Sequence, residues 1–247
     1  MNVVCYTDAR VRAHLDEALI HHVAADVSVV MAAKQEAPSI AGIIDRTRRY
    51  ATEIVVVDGH STDGTRDVAA QHGATVLMDR GRGKGDAIRC AIPAIRTPVT
   101  VFLDADGSHD PEDIPLLVEP ILANRADHVS ASRLRGGSSE LHGGFDEFFR
   151  LAGSSFITAC INRRFRCHLS DSQNGFRAIR TSVLRDLQLS ENMTTIEQEM
   201  IIKTLRGGWR MAEVPSHEHP RAHGASHIRV WRSAPRYAYS LVKHLFF

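Results

Sequence analysis

The chain has 247 residues, 43% hydrophobic and 24% charged, which is ordinary globular composition with material for one large α/β domain or two small ones. Its 30 Lys and Arg against 29 Asp and Glu leave a formal charge of +1, which argues against a chain-wide nucleic-acid footprint. Four scattered cysteines, no secretory leader pattern and no apolar run near the roughly 20 residues of a spanning helix predict a reduced, cytoplasmic chain that does not cross a bilayer by itself.

Residues 1–25 carry a short helical pattern over Val11–His22 and read as an appendage ahead of the first core strand. The runs "VSVVMAA" (27–33), "EIVVVD" (53–58), "ATVLM" (74–78) and "VTVFLD" (99–104) are short and valine-rich, as buried parallel strands are. Helical patterns at about 39–50, 64–72, 84–95 and 113–123 alternate with them, which predicts a mostly parallel central sheet flanked by helices. Such sheets hold ligands at the carboxyl ends of their strands, where Asp58 and Asp104 fall. Beyond "HVSASR" (128–133) comes a glycine- and serine-rich stretch (134–145), suited to a loop over a site or to a linker. A helix at about 146–163, a strand pair within 167–180, a helix at about 195–206, a strand at 209–215, a polar loop (216–227) and a last helix complete the chain. The main domain spans 26–228, with 229–247 as a C-terminal amphipathic helix.

In "VTVFLDADGSHDPEDI" (99–114) an apolar strand ends in a knot of like charge. Asp104 and Asp106 repel each other unless a cation lies between them, and a hard divalent ion shared with a phosphate-bearing ligand is one answer. A solvated loop that caps a helix at Asp-Pro is the other. "GRGKGDAIRCAI" (81–92) is a glycine-rich turn opening a helix, able to offer backbone amides to an anion, with Lys84 at its entry.

Taken in order, "VVMAAKQEAPSI", "VVVDGHSTDGT", "FLDADGSHDPED", "SDSQNGFRAIR", "IEQEMIIKTLRGGWRMAEVP" and "HEHPRAHGASH" resemble the motifs of inverting family 2 glycosyltransferases, closest to the dolichyl-phosphate mannose/glucose synthase-like branch. The resemblance runs from about Val27 to Ile228. It implies the GT-A fold, a Rossmann-like α/β fold of nucleotide-diphospho-sugar transferases, with Mg²⁺ or Mn²⁺ as cofactor and a UDP- or GDP-linked sugar as donor. Asp104 and Asp106 are then the metal-side carboxylates, Asp106 the direct ligand. A glutamine often stands in the branch where this chain has Ser108, which leaves Ser108, His109 or solvent as the third ligand. The resemblance further implies donor contacts from Ala33, Glu36, Asp58, Lys84, Ala105, Arg133, Arg177, Arg180, His219 and Arg221. Glu197, eleven residues before Gly208, stands at the family's offset for a catalytic base. Glu199 is its neighbour, about 200° away around a helix, so one of the two faces a cleft.

The acceptor stays open between a polyprenyl phosphate and a small hydroxylated metabolite. A nucleotidyltransferase shares paired acids and strand order, and a module that binds a nucleotide sugar without turnover is the non-enzymatic alternative. The last stretch, "IRVWRSAPRYAYSLVKHLFF" (228–247), mixes aromatics with basic residues and suits a helix resting on an anionic membrane, one packed on the domain, or a homodimer contact.

Overall fold

The computed structural model describes residues 4–5, 24–139, 145–221 and 230–247. Strands β2 (Val27–Ala33), β3 (Glu53–Asp58), β4 (Thr75–Met78) and β5 (Val99–Phe102) are parallel neighbours. Helices α1 (Ala37–Thr47), α2 (Thr65–Gln71) and α3 (Lys84–Ala91) connect them. This half matches the valine-run reading. The run predicted to be helical to 95 ends sooner because Pro93, which has no backbone N–H, turns it into a 3₁₀ segment.

The second half contains α4 (Ile114–Leu122), β6 (His128–Ser132), the four-residue α5 (Arg133–Gly136), α6 (Phe145–Phe165), β7 (Arg177–Arg180), α7 (Thr181–Asp186), α8 (Ile196–Arg206), β8 (Met211–Pro215) and α9 (Val230–Phe246). Together with β1 (Val4–Cys5), the sheet order is β1-β8-β6-β7-β5-β2-β3-β4. Only β7 runs antiparallel to its neighbours, wedged between β5 and β6. Instead of the strand pair expected within 167–180, β7 stands alone, because side chains take up the preceding backbone. The N–H groups of Ser170 and Asp171 donate to Glu213, that of Gln173 to Asp171, and that of Phe176 to Asn174. Of the N-terminal segment, Val4–Cys5 pairs with Ala212 and Glu213 as an edge strand. The helical pattern at Val11–His22 lies outside the described residues.

Alternation along β2 divides the core. Val27, Val29 and Met31 pack with Ile40, Ile44, Leu117 and Ile121 of α1 and α4, whereas Val30 faces Ile88 of α3, Leu184 of α7 and Met200 of α8. A third cluster joins Ile157 and Ile161 of α6 to Ile201 and Leu205 of α8 and to Leu241 and Leu245 of α9. Burying Leu241 and Leu245 contributes roughly 3–6 kcal/mol before conformational entropy, so α9 is docked on the domain.

At the end of the sheet away from the strands' carboxyl termini, Asp127 accepts hydrogen bonds from Arg210 (2.8 and 2.9 Å) and Arg180 (3.2 Å). The Arg210 hydrogen bonds outweigh burial and hold its pKa at about 2. A depressed carboxylate stabilises above its unfolded pKa of about 3.8 and loses that contribution as pH falls through its folded value. Asp127→Asn is therefore expected to lower Tm at pH 7, with the gap to wild type closing between pH about 4 and about 2 in a thermal melt series.

Candidate active site

The carboxyl ends of β2, β3 and β5 open into a cavity of about 820 Å³, closed on the far side by α6 and α9. Because β7 is antiparallel, Arg177 pairs with Phe102 at this end and Arg180 with Val99 at the other. Three residues of strand place the two about 10 Å apart. The donor contact expected of Arg180 is thereby corrected, since the side chain is spent on Asp127, Asn124 and the Ile121 carbonyl. Arg177 is fully buried and off the cavity wall; its guanidinium donates to the backbone oxygens of Glu197 (2.9 Å) and Asn174 and so supports the start of α8 from beneath.

At the centre, the Lys84 ammonium, at the first turn of α3, lies 2.6 Å from Asp104 and 2.9 Å from Glu197. Burial opposes the lysine's charge, yet the two carboxylates outweigh it and raise its pKa above the ordinary value. Burial likewise pushes Asp104 up, and Lys84 overrides it to hold the carboxyl at about 2. Gly175 makes this clasp possible: a Cβ there would stand 2.7 Å from Lys84 Nζ and 2.9 Å from Asp104 Oδ2. The second Glu197 oxygen, Oε2, is buried without a hydrogen-bond partner. Glu199 faces away, as the helical geometry requires. Its carboxylate takes the backbone N–H groups of Ser190 and Glu191 and pairs with Lys203, so the base expectation narrows to Glu197.

Asp106 lies beside this centre. Its Oδ1 accepts from the Ser108 amide (3.0 Å) and hydroxyl (2.7 Å), and its Oδ2 lies 3.3 Å from Arg221 Nε. His109 is buried, stacked on Phe176 with ring centroids 5.2 Å apart, and its Nδ1 has no hydrogen-bond partner. Burial pulls its pKa below the usual 6.5 against the pull of Asp104, so the ring is neutral near pH 7. Arg133 is forked onto Asp171 at 2.7 and 3.1 Å and reaches Glu218 at 3.4 Å. Asp171 raises the guanidinium pKa in spite of burial.

Of the other expected residues, Ala33, Glu36 and Ala105 line the cavity. Burial raises the Glu36 pKa against a hydrogen bond from Ser39, whose hydroxyl also contacts the Ala105 carbonyl. Asp58 is not on the wall: one oxygen accepts the Ser61 amide at 2.9 Å and the other is enclosed without a partner beneath the turn. The His219 ring is exposed and off the wall, while its backbone N–H donates to Ser108. Residues the sequence reading did not single out are Asp79, Asp171, Gly175, Met193, Thr194 and Tyr237. Tyr237 on α9 donates to Thr194 at 2.7 Å; burial, then Glu197, pushes its pKa up to about 12. Thr194 ends a loop that also holds Glu191, bonded to Lys243 and His244 of α9, and Asn192, whose carbonyl accepts the Asp86 amide of α3.

Comparison with known proteins agrees with this geometry. The family described as Glycosyl transferase family 2 matches residues 28–188. Glycosyltransferase AglJ of Haloferax volcanii is 29% identical over 201 residues, which is 81% of this chain and 65%, just under two thirds, of that protein. A dolichyl-phosphate hexose transferase of the same organism is 32% identical over 197 residues, covering 77% of this chain and 81% of its own. Glucosyl-3-phosphoglycerate synthase from Mycobacterium tuberculosis, solved with Mn²⁺, UDP and glucosyl-3-phosphoglycerate, superposes with a TM-score of 0.75 at 21% identity over 98% of this chain and 88% of that one, a likeness of fold.

Proposed function

The chain belongs to glycosyl transferase family 2, and on that premise we propose that it transfers a hexose with inversion from a UDP- or GDP-linked donor to a polyprenyl phosphate or a small hydroxylated acceptor. The observation that carries this reading is one cluster at the strand ends: the Asp104/Asp106 pair and Glu197, joined through Lys84 within a single cavity. The dolichyl-phosphate hexose transferase relative supports a lipid phosphate acceptor. The unpaired Glu197 Oε2 supports a hydroxyl acceptor, because only a neutral acceptor has a proton to give up.

A divalent cation fits the donor set. Among the described residues no group of three or more His, Cys, Asp or Glu forms a metal cage. Hard cations bound through one or two carboxylates and completed by substrate phosphates need no such cage, and Asp106, with Asp104 in the same cavity wall, would supply that partial shell. When bound, Mg²⁺ or Mn²⁺ neutralises charge developing on the leaving diphosphate.

The protein's own groups do the rest. The acceptor oxygen bonds to the anomeric carbon, and the bond from that carbon to the diphosphate breaks, its electron pair leaving on the nucleoside diphosphate. Lys84 and Arg221, both on the cavity wall, are the cations that would follow that charge. Glu197 takes the proton of a hydroxyl acceptor.

A thermal-shift panel of UDP, GDP, dTDP and CDP with their sugar conjugates, each with Mn²⁺ and with EDTA, tests the donor site. At 100 times its Kd a ligand stabilises by about 2.7 kcal/mol, or about 5–10 °C for a chain of this size. One base with Mn²⁺ is expected to give that shift; no shift for any nucleotide would refute the reading.

A further inference from the structure

Helix α9 has two apolar faces. Leu241 and Leu245 point into the domain, and the opposite stripe, Pro235, Ala238, Tyr239, Val242 and Phe246, falls at helical spacing and is exposed, with Tyr239 69%, Val242 52% and Phe246 67% accessible. Helix α6, packed beside it, repeats the arrangement: Ile157 and Ile161 are buried, while Phe149, Ala152, Phe156 and Ala159 are exposed, Phe156 at 66%. The chain as a whole balances its charges, yet α9 holds no Asp or Glu, and those of α6, Asp146 and Glu147, are confined to its first turn. Their outward cations include Arg163, Arg164 and Arg236.

We propose that the paired outer faces of α6 and α9 dock on an anionic lipid surface. Aromatic and aliphatic side chains bordered by arginines, with no acidic residue anywhere on α9, suit insertion at the headgroup boundary of a bilayer bearing negative charge. A second copy of the chain is a poorer occupant. A two-fold contact through α9 would bring like-charged stripes together, with no carboxylate on that helix to answer Arg236. No helix among the described residues is long and apolar enough to cross a membrane, so the association is peripheral.

The same helices wall the cavity, through Ser154 and Ile157 of α6 and Ser233, Ala234 and Tyr237 of α9. Docking therefore sets the α6–α9 wall of the cavity against the headgroups. This deepens the proposed function, on which it rests only for what enters the cavity from the membrane side.

Co-sedimentation with phosphatidylcholine vesicles, with and without phosphatidylglycerol, tests the surface. Binding is expected to the phosphatidylglycerol vesicles and to weaken with salt. The double variant Tyr239→Glu, Phe246→Glu, and separately Phe156→Glu, should reduce it at least tenfold with the nucleotide-dependent thermal shift unchanged. Absent vesicle binding, binding that the variants leave intact, or a dimer by light scattering that the variants dissociate without any vesicle binding would each overturn the proposal. Vesicle binding lost in the variants with no nucleotide shift in any protein would uphold the surface and sink the donor site instead.

Discussion

Asp106→Ala is expected to abolish the Mn²⁺-dependent part of donor binding and to leave the fold intact. Among the described residues the one backbone amide that its carboxylate holds is that of Ser108, two residues on, so the structural loss is local. The electrostatic loss is large. The variant removes the carboxylate best placed to share a cation with a diphosphate, and losing one preorganised stabiliser of developing charge costs about 10²–10³ in kcat. The sign of the metal-free result is as informative. Arg221, which lies 3.3 Å from Asp106, gives up that carboxylate partner and can turn to the donor's phosphates. Calorimetry in EDTA should then show nucleotide affinity equal to or tighter than wild type, while the increment on adding Mn²⁺ disappears. A retained Mn²⁺ increment would sink the assignment of Asp106 as ligand.

Glu197→Gln has the second large effect, and its size reports the acceptor. With a hydroxylated acceptor, removing the base is expected to lower kcat by about 10²–10⁴ with donor affinity held within a few fold. With an acceptor phosphate, already anionic, the same substitution should cost far less, because no proton has to be removed. Lys84 keeps its 2.6 Å pairing with Asp104 in the variant, so the donor side stays ordered. Parallel kcat measurements with a short-chain polyprenyl phosphate and with hydroxylated acceptors separate the cases. Equal losses with both, matched by the loss in donor affinity, would show that Glu197 only positions Lys84.

The parallel half of the sheet was legible because its strands are continuous valine-rich runs, a pattern that burial on both faces imposes. The acids at those strand ends were legible for the same reason. In the second half the long helices and the strand at 209–215 were legible as well, but the stretch 167–180 was not, because its backbone is satisfied by particular side chains. Nothing local in "SDSQNGFRAIR" says that Glu213, more than forty residues on, takes the Ser170 and Asp171 amides and leaves a single strand. Nor does it give the direction of that strand, which alone decides that Arg177 lies beneath the site and Arg180 at the far end. The choice between Glu197 and Glu199 needed Lys84, over a hundred residues away, to be seen between two carboxylates. Tyr237 and Gly175 carry no signal of their own in the sequence: one enters the wall because α9 folds back on α8, the other because an ammonium needs the space.

The loop from Ser190 to Thr194 touches both α9, through Tyr237, Lys243 and His244, and α3, through the Asp86 amide, one turn into the helix that Lys84 begins. The two proposed binding events would thus be strapped to one segment of backbone. Equilibrium thermodynamics makes their influence on each other reciprocal: whatever factor a lipid surface at α9 applies to nucleotide affinity, the nucleotide must apply to the protein's affinity for that surface. A donor-loaded enzyme and an empty one would then partition differently between bilayer and solution by that single factor, so the chain's residence on the membrane would follow the supply of activated sugar.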